Sequence, residues 1–498
     1  LYAADSFLQL NSNPDTVATL PAAGILEARP FALDELRRYE AGTPLDQLNT
    51  GDGGATFIPS ANDPDAARAA RFYAGALQFT QRPTEAFGYT ISYHGLKADR
   101  TLRNGPAGVR ADAGLQPFGG SSHAEFEGRV HTLSGRTDFR LGRAHLVTAG
   151  YEFERESYAN RSFVFNPAGS SISIAPGSES DVSAAQRSHA FFVQDQVRLL
   201  GDRLQLSAAF RAQAFSLTQP DFNPAANAPY RGRFDAPPAA YTGDGSVAYT
   251  FRSMGTKLRG HVGNGYRTPS LYERFGTFFS GFSNSFNALG DPTLRPERSI
   301  AFDAGIDQSA FDNRLRASAT YFYTRLQEVV GFGDVTTFDR PFGGYLNTGG
   351  GLARGLELSL ATAPTRSLDL NAAYTYTNSD QRRPAAAEGV VSAFVIPEHQ
   401  FSLVATQRVT RRLLLNFDLT AMGEYLAPIF SNTSFRTRVY RFGGTVKADA
   451  GASYTLPITD ARGVRFFGQV ENLFDREYYE SGFRMPGATA RAGVQFNF

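Results

Sequence analysis

The stretch ATARAGVQFNF at residues 488–498 alternates apolar and polar side chains along its whole length. One face carries Ala490, Ala492, Val494, Phe496 and Phe498, and the residues between them carry the polar groups or glycine. A period of two is the signature of a β-strand, because successive side chains point to opposite faces. The same alternation recurs at 368–377 and 315–324, so the sequence predicts an all-β protein.

The lengths of the connections indicate which kind of β-protein this is. Short turns near 142–143, 201–202, 253–255, 309–312, 363–366 and 409–411 alternate with long loops. Periodicity alone equally fits a soluble sheet with one face in a core. Sorting of short turns and long loops to opposite ends is instead typical of outer-membrane barrels. We therefore predict one transmembrane antiparallel β-barrel domain over residues 1–498, with about 18 strands. Its predicted long extracellular loops are 11–70, 99–124, 157–186, 218–239, 268–296, 326–341, 379–397 and 425–442.

Composition excludes several classes of function. The chain has 498 residues, no cysteine and a net charge of +1. Disulfide scaffolds, thiol nucleophiles and cysteine-ligated metals are thereby ruled out. The balanced charge and the lack of a long basic block argue against a nucleic-acid partner. The seven histidines show no metal-binding spacing, and no nucleophile elbow or phosphate loop is present, so we expect neither an enzyme, a cofactor nor a metal site.

Several motifs from residue 187 onward resemble those of TonB-dependent outer-membrane receptors. GNGYRTPSLYERFG at 263–276 and GDPTLRPERS at 290–299 are similar to that family's paired boxes. The other resemblances are FFVQDQVRLLGDRLQLSAAFR at 191–211, YLNTGGGLARGLELSL at 345–360, PEHQFSL at 397–403, VENLFDREYY at 470–479 and the final strand. They occur in order over much of the second half of the chain, and their combined specificity is high.

The resemblance implies a location in the bacterial outer membrane and import driven by the TonB complex of the inner membrane. It also implies a barrel of about 22 strands around a plug domain. Neither a plug nor a TonB-box peptide is visible, so we expect this chain to be the C-terminal barrel portion of a siderophore-receptor-like protein, lacking the plug and about four strands. The haem branch of the family is expected to carry a histidine between the two boxes, and residues 268–296 contain none.

Two of the predicted loops contain candidate ligand-binding residues. Loop 268–296 is rich in aromatic residues, among them Tyr272, Phe275, Phe278 and Phe279. Such residues either line an apolar ligand vestibule or pack on one another and on the outer aromatic belt.

Loop 425–442 mixes aromatic residues with cations and contributes the candidates Tyr425, Arg436, Arg438 and Arg441. Arginine stacks on rings and offers planar donors, which suits an anionic, partly aromatic ligand such as an iron-catecholate chelate. Contact with lipopolysaccharide, or simple solvation of the loop, explains the same composition equally well. Loop 11–70 shows no strand pattern, and ALDELRRYEAGTP within it predicts a short helix in a lid-like excursion.

The sequence therefore predicts import of a ferric siderophore that is captured by extracellular loops, in a protein that contacts outer-membrane lipid and lipopolysaccharide. A passive porin-type channel closed at about 18 strands is an alternative. Within the receptor family, cobalamin or an oligosaccharide is an alternative cargo. A third class of protein that the sequence allows is a soluble β-rich binding protein.

Overall fold

A computed structural model describes residues 2–497 except 12, 18–23, 42, 44–46, 50–53, 105–121, 167–172, 226–227, 281–284, 334–339, 341–342, 382–393, 432–435 and 460–461. Most of the described chain is β-strand, and two short helices are present in it, α1 (Leu33–Glu40) and α2 (Leu271–Phe275). Neither of these helices is long and apolar enough to cross a membrane. The expectation of an all-β protein is confirmed.

Within the described residues, nineteen strands form one sheet. They are β1 (Tyr2–Asn11), β5 (Asn62–Gln81), β6 (Phe87–Asn104), β7 (Ser122–Leu141), β8 (His145–Asn166), β9 (Ser173–Leu199), β10 (Leu204–Asn223), β11 (Ala240–Phe251), β12 (Thr256–Arg267), β15 (Glu297–Ala310), β16 (Leu315–Gly333), β17 (Gly344–Thr348), β18 (Gly351–Thr362), β19 (Leu368–Gln381), β20 (His399–Arg408), β21 (Leu413–Met422), β24 (Thr445–Pro457), β25 (Gly463–Glu471) and β28 (Thr489–Asn497). Strands that are neighbours in chain order pair antiparallel, except that β17 and β18 both pair with β16. Short turns at one end of this sheet alternate with long connections at the other.

The two faces of the sheet have opposite character. Apolar side chains on one face are strongly exposed, for example Leu77 at 74% and Phe191 at 63%. The other face carries polar side chains that bond across strands, such as Arg211 to Glu152 at 2.6 Å. In a soluble protein the apolar face would be the buried one. An exposed apolar face around a polar interior is the arrangement of a barrel in lipid.

The first and last strands of the sheet differ from the rest because each has one unpaired edge. β1 pairs only with β5, and β28 pairs only with β25, among the residues that the structure describes. Most side chains of both strands are exposed on both faces. The sheet is therefore open at these two edges.

The long connections contain more structure than the sequence predicts. The predicted helix in loop 11–70 is confirmed as α1, but the same segment also forms β2 (Asp15–Thr16), β3 (Ile25–Glu27) and β4 (Phe57–Ile58). Loop 268–296 contains α2, β13 (Thr277–Ser280) and β14 (Ser285–Ala288), and residues 472–488 contain β26 (Tyr479–Glu480) and β27 (Phe483–Arg484).

The predicted loop 425–442 contains two paired strands, β22 (Tyr425–Ser431) and β23 (Arg436–Phe442), which lie in the connection between β21 and β24. One prediction about strand boundaries is wrong. Strands β5 to β10 extend further toward the long connections than expected, so that β5 begins at Asn62 and not at residue 71. At the ends of β5 to β10, polar residues obscure the apolar alternation, because these ends lie beyond the apolar band of the sheet.

Candidate functional site

Two groups of aromatic residues occupy the end of the sheet that carries the long connections. One surrounds helix α2 and consists of Phe126, Tyr158, Tyr230, Tyr272, Phe275 and Tyr345; we call it the α2 cluster. The other joins the β22–β23 hairpin to β4 and β26 and consists of Phe57, Tyr425, Tyr440, Phe442 and Tyr479; we call it the hairpin cluster.

Helix α2 begins at a capping box that is readable in the sequence. The Glu273 backbone N–H donates to the Ser270 hydroxyl at 3.2 Å, and the Ser270 N–H donates to the Glu273 carboxylate at 2.6 Å. Arg267, the last residue of β12, forms ion pairs with Glu273 at 2.9 Å and with Glu297 at 2.6 Å. These ion pairs hold the first turn of α2 against the end of β12 and the start of β15.

The segment after α2 is held by backbone-directed contacts. The Arg274 guanidinium donates to the carbonyl oxygens of Asp235 at 2.7 Å and of Pro292 at 3.0 Å. Gly290 lies so close to this turn that a Cβ atom there would stand 2.6 Å from the Arg274 carbonyl carbon. The Asn347 side chain both donates to and accepts from the backbone of Arg295, at 2.9 and 2.7 Å. Residues of the two paired boxes, 263–276 and 290–299, and of the segment YLNTGGGLARGLELSL at 345–360 thus form one packed unit.

Tyr272 is the residue of this unit that meets the barrel wall. Its ring makes edge-to-face contacts with Phe126 at 6.0 Å and with Tyr158 and Tyr345 at 5.8 Å each. The Arg100 guanidinium lies over the Phe126 ring at 4.7 Å. Burial raises the pKa of the Tyr272 and Tyr345 hydroxyls, so both remain protonated hydrogen-bond donors at neutral pH.

The other candidates from loop 268–296 are more enclosed. Phe275 is 0% exposed and packs between Tyr230 and Phe234. Phe279 is buried, and its backbone N–H donates to the Ser162 hydroxyl at 3.1 Å. Phe278 is half-buried in the β13–β14 hairpin, opposite Asn287. The aromatic residues of this loop thus largely pack on one another and on the wall.

The hairpin cluster positions the second set of candidates. Tyr425 is buried, stacks on Phe442 at 5.6 Å and donates to the Tyr479 carbonyl oxygen at 3.2 Å. Arg441 lies 2.9 Å from Glu424 and 3.5 Å from Glu27, so two carboxylates balance its charge. Arg438 is 9% exposed, on the strand that pairs with β22. The backbone of Arg436 pairs with Ser431, whereas its side chain lies outside the described part.

The hairpin cluster also brings distant segments of the chain together. β3 of the connection between β1 and β5 adds a parallel strand to β23, and the Ala28 N–H donates to the Arg441 carbonyl oxygen at 2.9 Å. The Tyr440 hydroxyl donates to the Thr56 carbonyl oxygen at 2.9 Å. No described contact joins this cluster to Tyr272, so the two sets of candidates occupy separate places at this end of the sheet.

Sequence reasoning missed the residues of the wall itself, Arg100, Phe126 and Tyr158. Arg100 and Phe126 face each other across β6 and β7, and Tyr158 lies on the adjoining β8. The signal was present in the alternation of SHAEFEGRV at 122–130, which turns Phe126 away from the exposed apolar face. No group of three or more metal-binding side chains is found within the described residues.

Residues 24–473 match the family described as TonB dependent receptor-like, beta-barrel. An iron-regulated outer membrane virulence protein of Vibrio cholerae is 28% identical over 254 residues, which cover 48% of this chain and 37% of that protein. The metal-pseudopaline receptor CntO of Pseudomonas aeruginosa is 26% identical over 214 residues, 41% of this chain and 28% of that protein. The matches therefore span well under half of the length of these curated relatives.

The fold is similar to that of solved outer-membrane receptors. The closed form of the ferric-catecholate import receptor Fiu from E. coli K12 superposes with a TM-score of 0.64 at 16% identity, covering 91% of this chain and 67% of that one. At this identity the likeness concerns the fold.

Proposed function

This chain belongs to the TonB-dependent receptor-like β-barrel family of the bacterial outer membrane, and from that premise we propose that it forms the barrel wall and ligand-binding loops of a receptor importing a ferric siderophore. The names of the Vibrio and Pseudomonas relatives refer to iron regulation and to a metal chelate, which supports this class of cargo. Transport would be active and driven through TonB, and no enzymatic step is required of the chain.

The observation that carries the choice of cargo is the wall formed by Arg100, Phe126 and Tyr272. Arg100 is exposed and makes no ion pair among the described residues, so its charge is available to an anion. Tyr272 presents a protonated hydroxyl beside two further rings. A ferric catecholate is an anionic complex with flat aromatic edges and oxygen acceptors. Cation, ring and hydroxyl donor therefore match its three features.

We propose different roles for the remaining candidates. Phe275 and Phe279 hold Tyr272 in place through packing, and Phe278 completes the apolar rim. Arg441 and Tyr425 set the shape of the hairpin, and we propose that Arg436 and Arg438 of the same strand also contact the ligand.

The open edges of the sheet bear on the architecture of the working receptor. In lipid, each unsatisfied backbone group costs several kcal/mol, so β1 and β28 require pairing partners. We infer that further strands complete a barrel of about 22 strands around a plug, through which the TonB complex acts. The apolar outer face would contact membrane lipid and lipopolysaccharide.

Calorimetric titration of the detergent-purified chain with a ferric complex of 2,3-dihydroxybenzoate tests the proposal. Tyr272→Ala should weaken binding by about tenfold, equivalent to roughly 1.4 kcal/mol. Tyr241→Ala is the matched control, because Tyr241 is 65% exposed on the apolar outer face and should not change Kd. Equal Kd values for the two variants and the unmodified chain would contradict the site.

Competing chelates and conductance measurements address the alternatives. If cyanocobalamin or an oligosaccharide binds more tightly than the ferric catecholate, that compound becomes the assigned cargo in place of a ferric siderophore. A steady, large conductance of the chain in planar bilayers would favour a passive porin over a receptor fragment.

A further inference from the structure

A row of basic side chains crosses three neighbouring strands on the outer face of the sheet. His131 of β7 is directly opposite Arg155 of β8, and Arg155 is directly opposite Arg187 of β9. All three side chains are exposed. Leu133 lies two residues after His131 on β7, and Phe191 lies four residues after Arg187 on β9, so these exposed apolar side chains share the face of the row. The row therefore belongs to the lipid-facing side of the barrel.

No described residue neutralises the charge of the two arginines in this row. Arg155 and Arg187 make no ion pair with any described residue, whereas the neighbouring Arg129 is paired with Glu127 at 2.8 Å. Like charges directly opposite each other on paired strands are destabilising. Two arginines in this register therefore favour an external anion that lies between them.

The height of the row along the strands indicates which anion this is. Just below it, the Tyr93 hydroxyl lies 2.8 Å from His131 Nδ1, and the Tyr151 hydroxyl lies 2.6 Å from His189 Nδ1. Tyrosines with apolar neighbours form the aromatic girdle that marks the boundary of the hydrocarbon region. Arg155 and Arg187 follow on the side of the long connections, at the level of the headgroups of the outer leaflet.

We propose that Arg155 and Arg187 bind a phosphate group of the glycolipid in the outer leaflet, the phosphorylated glucosamine headgroup of lipid A, with His131 beside them. Guanidinium groups bind phosphate oxygens in pairs, and their aliphatic stems lie along apolar surface while the charge reaches the headgroup region. The inference rests on the proposed orientation, in which the long connections are extracellular. It names the lipid partner of this face and does not depend on the cargo.

Native mass spectrometry of the full chain in detergent, titrated with bisphosphorylated lipid A, tests the site. Arg155→Gln combined with Arg187→Gln should weaken binding by about tenfold or more, since each charged hydrogen bond lost contributes about as much as a tenfold change in affinity. The matched control combines Arg143→Gln with Arg366→Gln, two exposed arginines at the short-turn end that should leave affinity unchanged. Arg155→Lys with Arg187→Lys, which keeps both charges, should retain most of the binding.

Three outcomes would overturn the assignment. They are equal affinity of the glutamine variant and the unmodified chain, equal affinity for lipid A after removal of its phosphates, and binding of phosphatidylglycerol or inorganic phosphate as tight as that of lipid A. Far-UV circular dichroism verifies that the variants fold. Ferric-catecholate binding is measured separately at Tyr272, so a failure of the cargo proposal leaves this test intact.

Discussion

Replacement of Phe57 by alanine should release the connection between β1 and β5 from the β22–β23 hairpin. Phe57 is 0% exposed, and its ring makes edge-to-face contacts with Tyr440 at 6.0 Å, Phe442 at 5.5 Å and Tyr479 at 5.6 Å. Truncation of a buried phenylalanine to alanine costs about 3–5 kcal/mol. The cluster lies outside the strand ladder, so this cost should lower the free energy of local opening and leave the barrel intact.

The expected size of the effect follows from that cost. Since each 1.4 kcal/mol is about a factor of ten, amide exchange in 25–31 and 436–442 should accelerate by roughly a hundredfold to a few thousandfold. Hydrogen–deuterium exchange with peptide-level mass spectrometry measures it, with strand β15 as the internal reference. Phe210→Ala removes the same atoms from a residue that is 50% exposed on the apolar outer face, and it should leave both peptides unchanged. Unaltered exchange in Phe57→Ala would refute the packing argument.

Three further predictions concern the rims of the two clusters. Ser270→Ala removes the acceptor of the Glu273 N–H and should destabilise α2 by about 1 kcal/mol, seen as faster amide exchange in 271–276. Gly290→Ala places a Cβ against the Arg274 backbone and should increase proteolytic cleavage within 268–296, whereas unchanged cleavage would contradict the close approach. Burial raises the pKa of Tyr440 above its ordinary value, so its stabilising effect is complete below about pH 10 and is lost as pH rises through the folded pKa. Phenylalanine does not ionise, so the pH at which the near-ultraviolet circular dichroism signal is lost should be higher in Tyr440→Phe than in the unmodified chain.

The elements that could be predicted from the sequence are those specified by neighbouring residues. Alternation in 368–377 and 488–498 predicts strands because adjacent side chains point to opposite faces of a strand. Ser270 and Glu273 stand at the spacing of a capping box, and the sequence of 33–40 has the spacing of a helix; both features are present in the structure. Each of these patterns involves only residues that are close together in the sequence, so it can be recognised from the sequence alone.

The sequence does not show which side chains from distant parts of the chain contact one another. The sequence of 425–442 shows aromatic residues and arginines, but it cannot show that Glu27 balances Arg441 or that Phe57 fills the space beside Tyr440. Likewise, Tyr272 contacts the rings of Phe126 and Tyr158 only because the connection after β12 folds back over β7 and β8. Periodicity in the sequence determined the strands and the side chains that share the apolar face, and the alternation of short turns and long loops indicated that this face meets lipid. Only the tertiary structure decided which aromatic and charged groups are already engaged and which remain available, because contacts between residues hundreds of positions apart exist only once the sheet has brought them together.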